Sequence, residues 1–184
     1  MPSFGQSTTR RGFLVSASAG LLGMSVLGAL PAGAVALDRE PATKERRLLM
    51  VNQRTGEVFD EVYHDGEEYL TPALTQFAHF ARDLRAGAAG EMDPSLLDLA
   101  SDLQTLIDPD EPLILTHGFR TAATNRRIRN SAPNSLHMQG RALDIAHSRL
   151  NAGALHQQAR KLNRGGLGRY ARFVHIDTGP TRRW

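Results

Sequence analysis

Ser135-Leu136-His137-Met138-Gln139-Gly140-Arg141-Ala142-Leu143-Asp144 places an imidazole and a carboxylate within one short loop-and-strand segment. From Arg141 to Ala146 the residues alternate. On a strand Leu143 and Ile145 point into a core while Ala142, Asp144 and Ala146 face the other way. A second stretch, Phe173-Val174-His175-Ile176-Asp177, repeats the pattern, with Phe173, His175 and Asp177 on one face and Val174 and Ile176 on the other. His137, Asp144 and His175 make a set of three metal ligands that leaves one position open, as catalytic zinc sites do. Two imidazoles and a carboxylate suit Zn²⁺, one ion per chain, although other divalent ions compete for such a set. Zinc lowers the pKa of bound water to about 7 and polarises a carbonyl.

Working outward, the rest of the chain supplies helices and a hairpin. Arg47 to Val51 and Glu57 to Tyr63 are β-prone runs around Asn52-Gln53-Arg54-Thr55-Gly56, which reads as a hairpin. Thr71-Pro72 starts a helix, with the hydroxyl as N-cap, and Leu74, Phe77, Ala81 and Leu84 follow at helical spacing. Asp93-Pro94 starts a second, with Leu96, Leu99, Leu103 and Leu106 on one face. Leu113 to Thr116 is a strand that runs into His117-Gly118-Phe119-Arg120-Thr121. The polar stretch beyond it, with Arg126, Arg127 and Arg129, is expected to border the cleft. Asn151 caps a helix through Leu162, and Gly165-Gly166-Leu167-Gly168 reads as a turn. The expected fold is α+β: a small, mostly antiparallel sheet carrying the metal site, flanked by helices.

The N-terminus is a separate matter. Thr9-Arg10-Arg11-Gly12-Phe13-Leu14 is a twin-arginine pattern, followed by an apolar run from Val15 to Leu30 and small residues up to Ala36. Residues 1–36 therefore resemble a Tat export signal. Gly20, Gly23, Gly28 and Gly33 thin its hydrophobicity, which suits a signal better than a permanent membrane span. Residues 37–46 read as a flexible lead-in, and residues 47–184 as one domain. Of 22 Lys and Arg only Arg10 and Arg11 precede residue 37, and none of the 19 acids does, so the remaining chain carries 20 basic against 19 acidic side chains. The basic balance of the whole chain is thus no argument for a nucleic-acid partner. There is no cysteine, so disulfides and thiolate metal sites are excluded.

Ser135, His137, Gly140, Ala142 and Asp144 match the signature of the zinc murein peptidases that include the D-Ala-D-Ala carboxypeptidases. The ending, from Gly165 through Phe173-Val174-His175-Ile176-Asp177-Thr178-Gly179-Pro180 to Arg182 and Trp184, is similar to the periplasmic murein endopeptidase K subgroup. The resemblance extends to Gly118-Phe119-Arg120-Thr121 and to the exported N-terminus. It implies His137, Asp144 and His175 as zinc ligands, Arg120 in substrate binding, and hydrolysis of peptide cross-links between peptidoglycan stems. Ser135 is a second substrate-binding candidate, or a residue that sets the loop before His137.

One departure matters. Relatives place a general base two or three residues before the last ligand, where this chain has Phe173 and Arg172. Asp177 is a candidate either for that base or for a carboxylate that orients His175; His117 and His147 are further candidates for the base. Two other readings stand beside the endopeptidase: a D-Ala-D-Ala carboxypeptidase, and a metal-binding murein-recognition module without catalysis.

Overall fold

Arg46–Asn52 (β1) and Val58–His64 (β2) form the expected antiparallel hairpin in the computed structural model, which describes residues 44–184. The Tat-like segment and most of the lead-in lie outside the described residues. Two helices follow. Thr71–Phe80 (α1) starts one residue earlier than its sequence signal: Leu70 is the N-cap, Thr71 is already helical, and Leu84 falls beyond its end. Pro94–Ile107 (α2) is capped as expected, with the Asp93 side chain accepting from the Ser95 amide. Leu96, Leu99 and Leu103 are buried on it, but Leu106 is exposed and Leu97 takes its place in the core.

Leu113–His117 (β3), the short helix Ala122–Arg126 (α3), Ala142–His147 (β4), Ala152–Leu162 (α4), Gly166–Arg169 (β5), Val174–Asp177 (β6) and Arg182–Arg183 (β7) complete the order. All seven strands join one sheet in the order β2-β1-β3-β4-β6-β5-β7. The α+β class holds, but the sheet is larger than expected and mixed: β1 pairs parallel with β3, and β5 pairs parallel with β7. The Gly165 to Gly168 stretch is a second correction, because Gly166–Arg169 is a strand and not a turn. Its glycines imitate a turn for a steric reason. A Cβ at Gly166 would overlap the Asp177 carboxylate, and one at Gly168 would overlap the Trp184 indole. The strand is kept bare so that those side chains can lie across it.

The core is continuous beneath the sheet. Leu48, Met50, Leu113, Leu143, Ile145 and Ile176 from the strands meet Phe77, Leu97, Leu103 and Leu155 from the helices, all essentially without solvent contact. No helix of the described residues is long and apolar enough to cross a membrane.

Candidate metal centre

Strand alternation builds the site. β4 and β6 pair antiparallel with Asp144 directly opposite His175, while Leu143 and Ile145, Val174 and Ile176 turn into the core. Directly opposed residues project side by side from one face, so the register alone makes these two ligands neighbours. His137 comes from a single 3-10 turn, Leu136–Gln139, that leads into β4. The turn ends on Gly140 at φ +66°, a left-handed conformation in which a Cβ would also overlap the Glu91 carbonyl. The Gly140 carbonyl accepts from the Asp93 amide at 2.9 Å, tying the turn to the start of α2.

Three atoms able to ligate a metal then close a triangle. His137 Nε2 lies 3.2 Å from His175 Nδ1 and 3.3 Å from Asp144 Oδ1, and His175 Nδ1 lies 3.0 Å from Asp144 Oδ1. The outward nitrogens are already engaged. His137 Nδ1–H donates to the Gly118 carbonyl at 2.8 Å, and His175 Nε2–H donates to Asp177 Oδ2 at 2.8 Å. The His137 ring is thereby held in the tautomer that turns its Nε2 lone pair inwards, and His175 is left with Nδ1 facing the same point as the carboxylate oxygen. Three buried acceptors facing one another repel unless a proton or a metal ion lies between them. Tetrahedral zinc, with bonds of about 2.0–2.2 Å, has ligand-to-ligand edges of about 3.3–3.6 Å, close to the sides of this triangle. Among the described residues this is the group of ligating side chains close enough to share an ion.

The same contacts set the electrostatics of the three residues. Burial alone would push the Asp144 carboxyl up, but His137, His175 and Arg120 outweigh it and hold it far below the usual carboxylate range. Burial lowers the pKa of His137. It also works against a proton on His175, where Asp144 and Asp177 on either side win and raise the pKa. Asp177 is fully buried behind the His175 ring, away from the triangle. Its Oδ1 accepts from the Gly166 and Gly179 amides, and both of its oxygens accept from the Arg182 guanidinium. Burial would raise this carboxyl too, yet the contacts with His175, Arg182 and the two amides hold it far below its ordinary value.

The other residues singled out in the sequence are unevenly placed. Arg120 reaches the centre: its guanidinium donates to Asp144 Oδ2 at 2.6 Å, and its Nε is buried without a partner among the described residues. Asp144 thus has one oxygen for the triangle and the other for Arg120. His117 stands opposite Asp144 on β3, half-exposed, with Nδ1 3.6 Å from Asp144 Oδ2 and its ring facing Phe173. Burial lowers its pKa from the ordinary imidazole value. His147, three residues after Asp144, points to the opposite face of β4 and accepts from the Arg149 amide. Ser135 precedes the 3-10 turn, where its carbonyl accepts from the Met138 amide and its hydroxyl makes no cap hydrogen bond. Sequence reasoning gave no role to Arg182 or to the Gly118 carbonyl. Arg182 had a signal, an arginine shortly after a buried-strand Asp; a backbone carbonyl has none.

Two cavities meet at Asp144. One, of about 420 Å³, is lined by His117, Arg120, Asp144 and Phe173 and runs towards Arg85 and Arg127. The other, of about 620 Å³, holds His137 and His175 and is walled by Tyr170, Phe173 and Trp184. The Trp184 ring lies 5.3 Å from that of His175.

The triangle is a group of side chains that could hold a metal ion, and by its sequence the chain belongs to the zinc murein peptidase family. A family model described as "Peptidoglycan L,D-endopeptidase MepK" matches residues 40–184. The Peptidoglycan L,D-endopeptidase MepK of Escherichia coli (strain K12) is 37% identical over 171 residues, covering 89% of this chain and 93% of the relative. The protein of the same name from Shigella flexneri gives the same figures. The Probable peptidoglycan L,D-endopeptidase MepK of Haemophilus influenzae is 31% identical over 170 residues, covering 89% of each.

Proposed function

We propose that the protein is a zinc-dependent murein endopeptidase that hydrolyses L,D-peptide bonds in the cross-links between peptidoglycan stem peptides. The observation that carries this reading is the triangle of His137 Nε2, Asp144 Oδ1 and His175 Nδ1, with sides of 3.0–3.3 Å, at the meeting point of two cavities. A cleft that continues on both sides of the centre accommodates chain on both sides of the scissile bond, as an endopeptidase requires. Zinc, when bound, supplies an activated water and polarises the carbonyl under attack.

The chain's own residues do the rest. Asp177 fixes the tautomer and angle of His175, the usual service of a carboxylate behind a metal-bound imidazole. Asp177 is buried and satisfied on all sides, which argues for this positioning part and against proton transfer. Arg120 restricts Asp144 to one free oxygen and presents its remaining N–H groups to the substrate carbonyl or carboxylate. With Phe173 and Arg172 in the usual places of the base, His117 is the exposed imidazole beside Asp144 in the cavity and takes the proton from the attacking water. Ser135 borders the cavity on the His137 side, where its hydroxyl is free for substrate. Residues 1–36 direct the chain through the Tat route to the cell envelope, where the substrate is, and residues 47–184 are the peptidase domain.

Purified protein is incubated with cross-linked muropeptide dimers and with monomeric pentapeptides, after chelation and after zinc is restored. The expected result is conversion of dimers to monomers, lost on chelation and regained with zinc, and reduced at least about a thousandfold by His137→Ala. Release of D-Ala from pentapeptides with dimers left intact would make it a carboxypeptidase. A zinc-loaded protein that binds murein and cuts neither would make it a recognition module.

A further inference from the structure

The two cavities differ in charge, and the difference is unexplained by the metal centre. Six arginines line the cavity beside His117, against two acids, Asp83 and Asp144. Arg82 pairs with Glu57, and Arg120 pairs with Asp144. The Asp83 carboxylate is consumed internally by the Thr121 amide and hydroxyl and by the Arg85 and Ala86 amides. Arg54, Arg85, Arg127 and Arg129 are exposed and without an ion pair among the described residues. They come from three separate segments: the β1–β2 turn, the turn after α1, and the loop after α3. In the cavity on the other side of Asp144, which Arg129 alone of the four also borders, Arg182 is held by Asp177 and lies over the Trp184 ring, 4.9 Å from its centroid, and Tyr170, Phe173 and Trp184 form an aromatic wall beside neutral polar residues such as Asn134 and Ser135.

A chain with 20 basic and 19 acidic residues outside its first 36 has no global excess of charge to account for this. Four free guanidinium groups around one concavity focus a positive potential there and raise the local concentration of anions. Guanidinium groups match planar carboxylates in bidentate pairs. Because the cavity reaches Asp144, an anion held in it is joined to whatever lies at the metal.

We propose that this cavity is a carboxylate-binding subsite, in which Arg54, Arg85, Arg127 and Arg129 hold the free carboxylates of one stem of the cross-linked peptide while the opposite stem lies against the aromatic wall. The inference rests on the murein endopeptidase reading and adds to it a specificity: the enzyme distinguishes free-acid stems from stems whose carboxylates are amidated.

The test compares free-acid and amidated cross-linked muropeptides at one ionic strength, with zinc-loaded wild-type protein and an Arg85→Gln/Arg127→Gln double variant whose folding is checked by thermal melting. Charge-assisted hydrogen bonds of this kind change affinity about tenfold to a hundredfold. The wild type is expected to favour the free acid by about tenfold or more, through KM and not kcat. The double variant narrows that gap, and Arg85→Lys/Arg127→Lys restores part of it. Equal KM values for the two substrates in the wild type, or a gap that survives the double variant, overturn the subsite while leaving the peptidase reading intact. If the zinc-loaded wild type cuts nothing, the peptidase reading fails. Calorimetric binding of an uncross-linked stem tripeptide, acid against amide, then decides the subsite alone: weaker binding of the amide by about tenfold supports it, and equal affinities reject it.

Discussion

The two halves of the sheet are built by different rules. On one side, β1, β2 and β3 are covered by α1 and α2 through large apolar side chains: Leu48, Met50, Phe77, Leu97 and Leu103 are fully buried, and Phe59 meets Phe77 edge-on at 5.1 Å. On the other side, β4 to β7 bury His137, Asp144, His175 and Asp177 together with bare glycine backbone. The first half is stabilised by apolar area removed from water, a non-directional effect that tolerates exchange of one hydrocarbon for another. The second shares that core through Leu143, Ile145, Val174 and Ile176, but its other face is held by directional contacts, each of which leaves a buried polar group stranded if its partner goes. The buried polar cluster is therefore confined to one half, on the faces of β4 and β6 turned away from the shared core, and substitutions of the apolar and the polar residues should fail in different ways.

The largest effect should come from Leu97→Ala. Leu97 has no exposed surface, and removing a buried leucine side chain leaves a cavity that costs about 2–5 kcal/mol. Urea unfolding should show that loss, while kcat/KM of the protein that remains folded at low temperature stays at the wild-type value. A fall in kcat/KM of the folded variant would show that the apolar half tunes the centre, and the division between the halves would not stand.

Next is Asp177→Asn. Asparagine can still accept the His175 N–H, but it is neutral and leaves Arg182 without its anion. Loss of such a supporting carboxylate costs about tenfold to a hundredfold in metal affinity or activity. Zinc competition against a chromophoric chelator should register that drop, together with a lowered kcat. If Asp177 were itself the proton acceptor, zinc affinity would hold and activity alone would collapse, so the two readouts separate the roles.

The halves also differed in legibility. The apolar half is written in periodicity: the hairpin runs, the 3.6-residue spacing of Leu96, Leu99 and Leu103, and the capping Asp93 all have local causes. Errors there were of edges, such as Leu106 on the wrong side of α2, because one turn of helix does not reveal how wide the covered face is. In the polar half, alternation along β4 and β6 gave the facing of Asp144 and His175. Their direct opposition is a matter of register, which no local pattern encodes. The β5 strand looks like a turn in the sequence because its glycines answer to Asp177 and Trp184, residues well beyond it in the chain. The mixed character of the sheet depends on the parallel β1–β3 and β5–β7 pairs, whose strands are brought together only by tertiary packing.

The smallest expected effect lies on the seam between the halves. Asp83, at the end of the α1 region, accepts from the Thr121 amide and hydroxyl at 2.9 and 2.8 Å and so anchors the Gly118–Arg120 stretch, which carries the carbonyl that holds His137 and the guanidinium that holds Asp144. Burial tends to raise its carboxyl, but the Thr124 and Thr121 hydroxyls and the Thr121 and Ala86 amides outweigh that and lower it from 3.8 to about 2. A depressed folded-state pKa means that the unfolded chain takes up the proton first as pH falls. The contribution of Asp83 is therefore complete above about pH 4, shrinks below it, and is gone once pH passes through about 2. Asp83→Asn should cost about 1–2 kcal/mol at pH 7. In urea titrations from pH 7 down to pH 3, the difference from wild type should stay constant to about pH 4 and then narrow. A difference that does not change with pH would mean that the carboxylate's shape, and not its charge, ties the apolar half to the loop beneath Arg120.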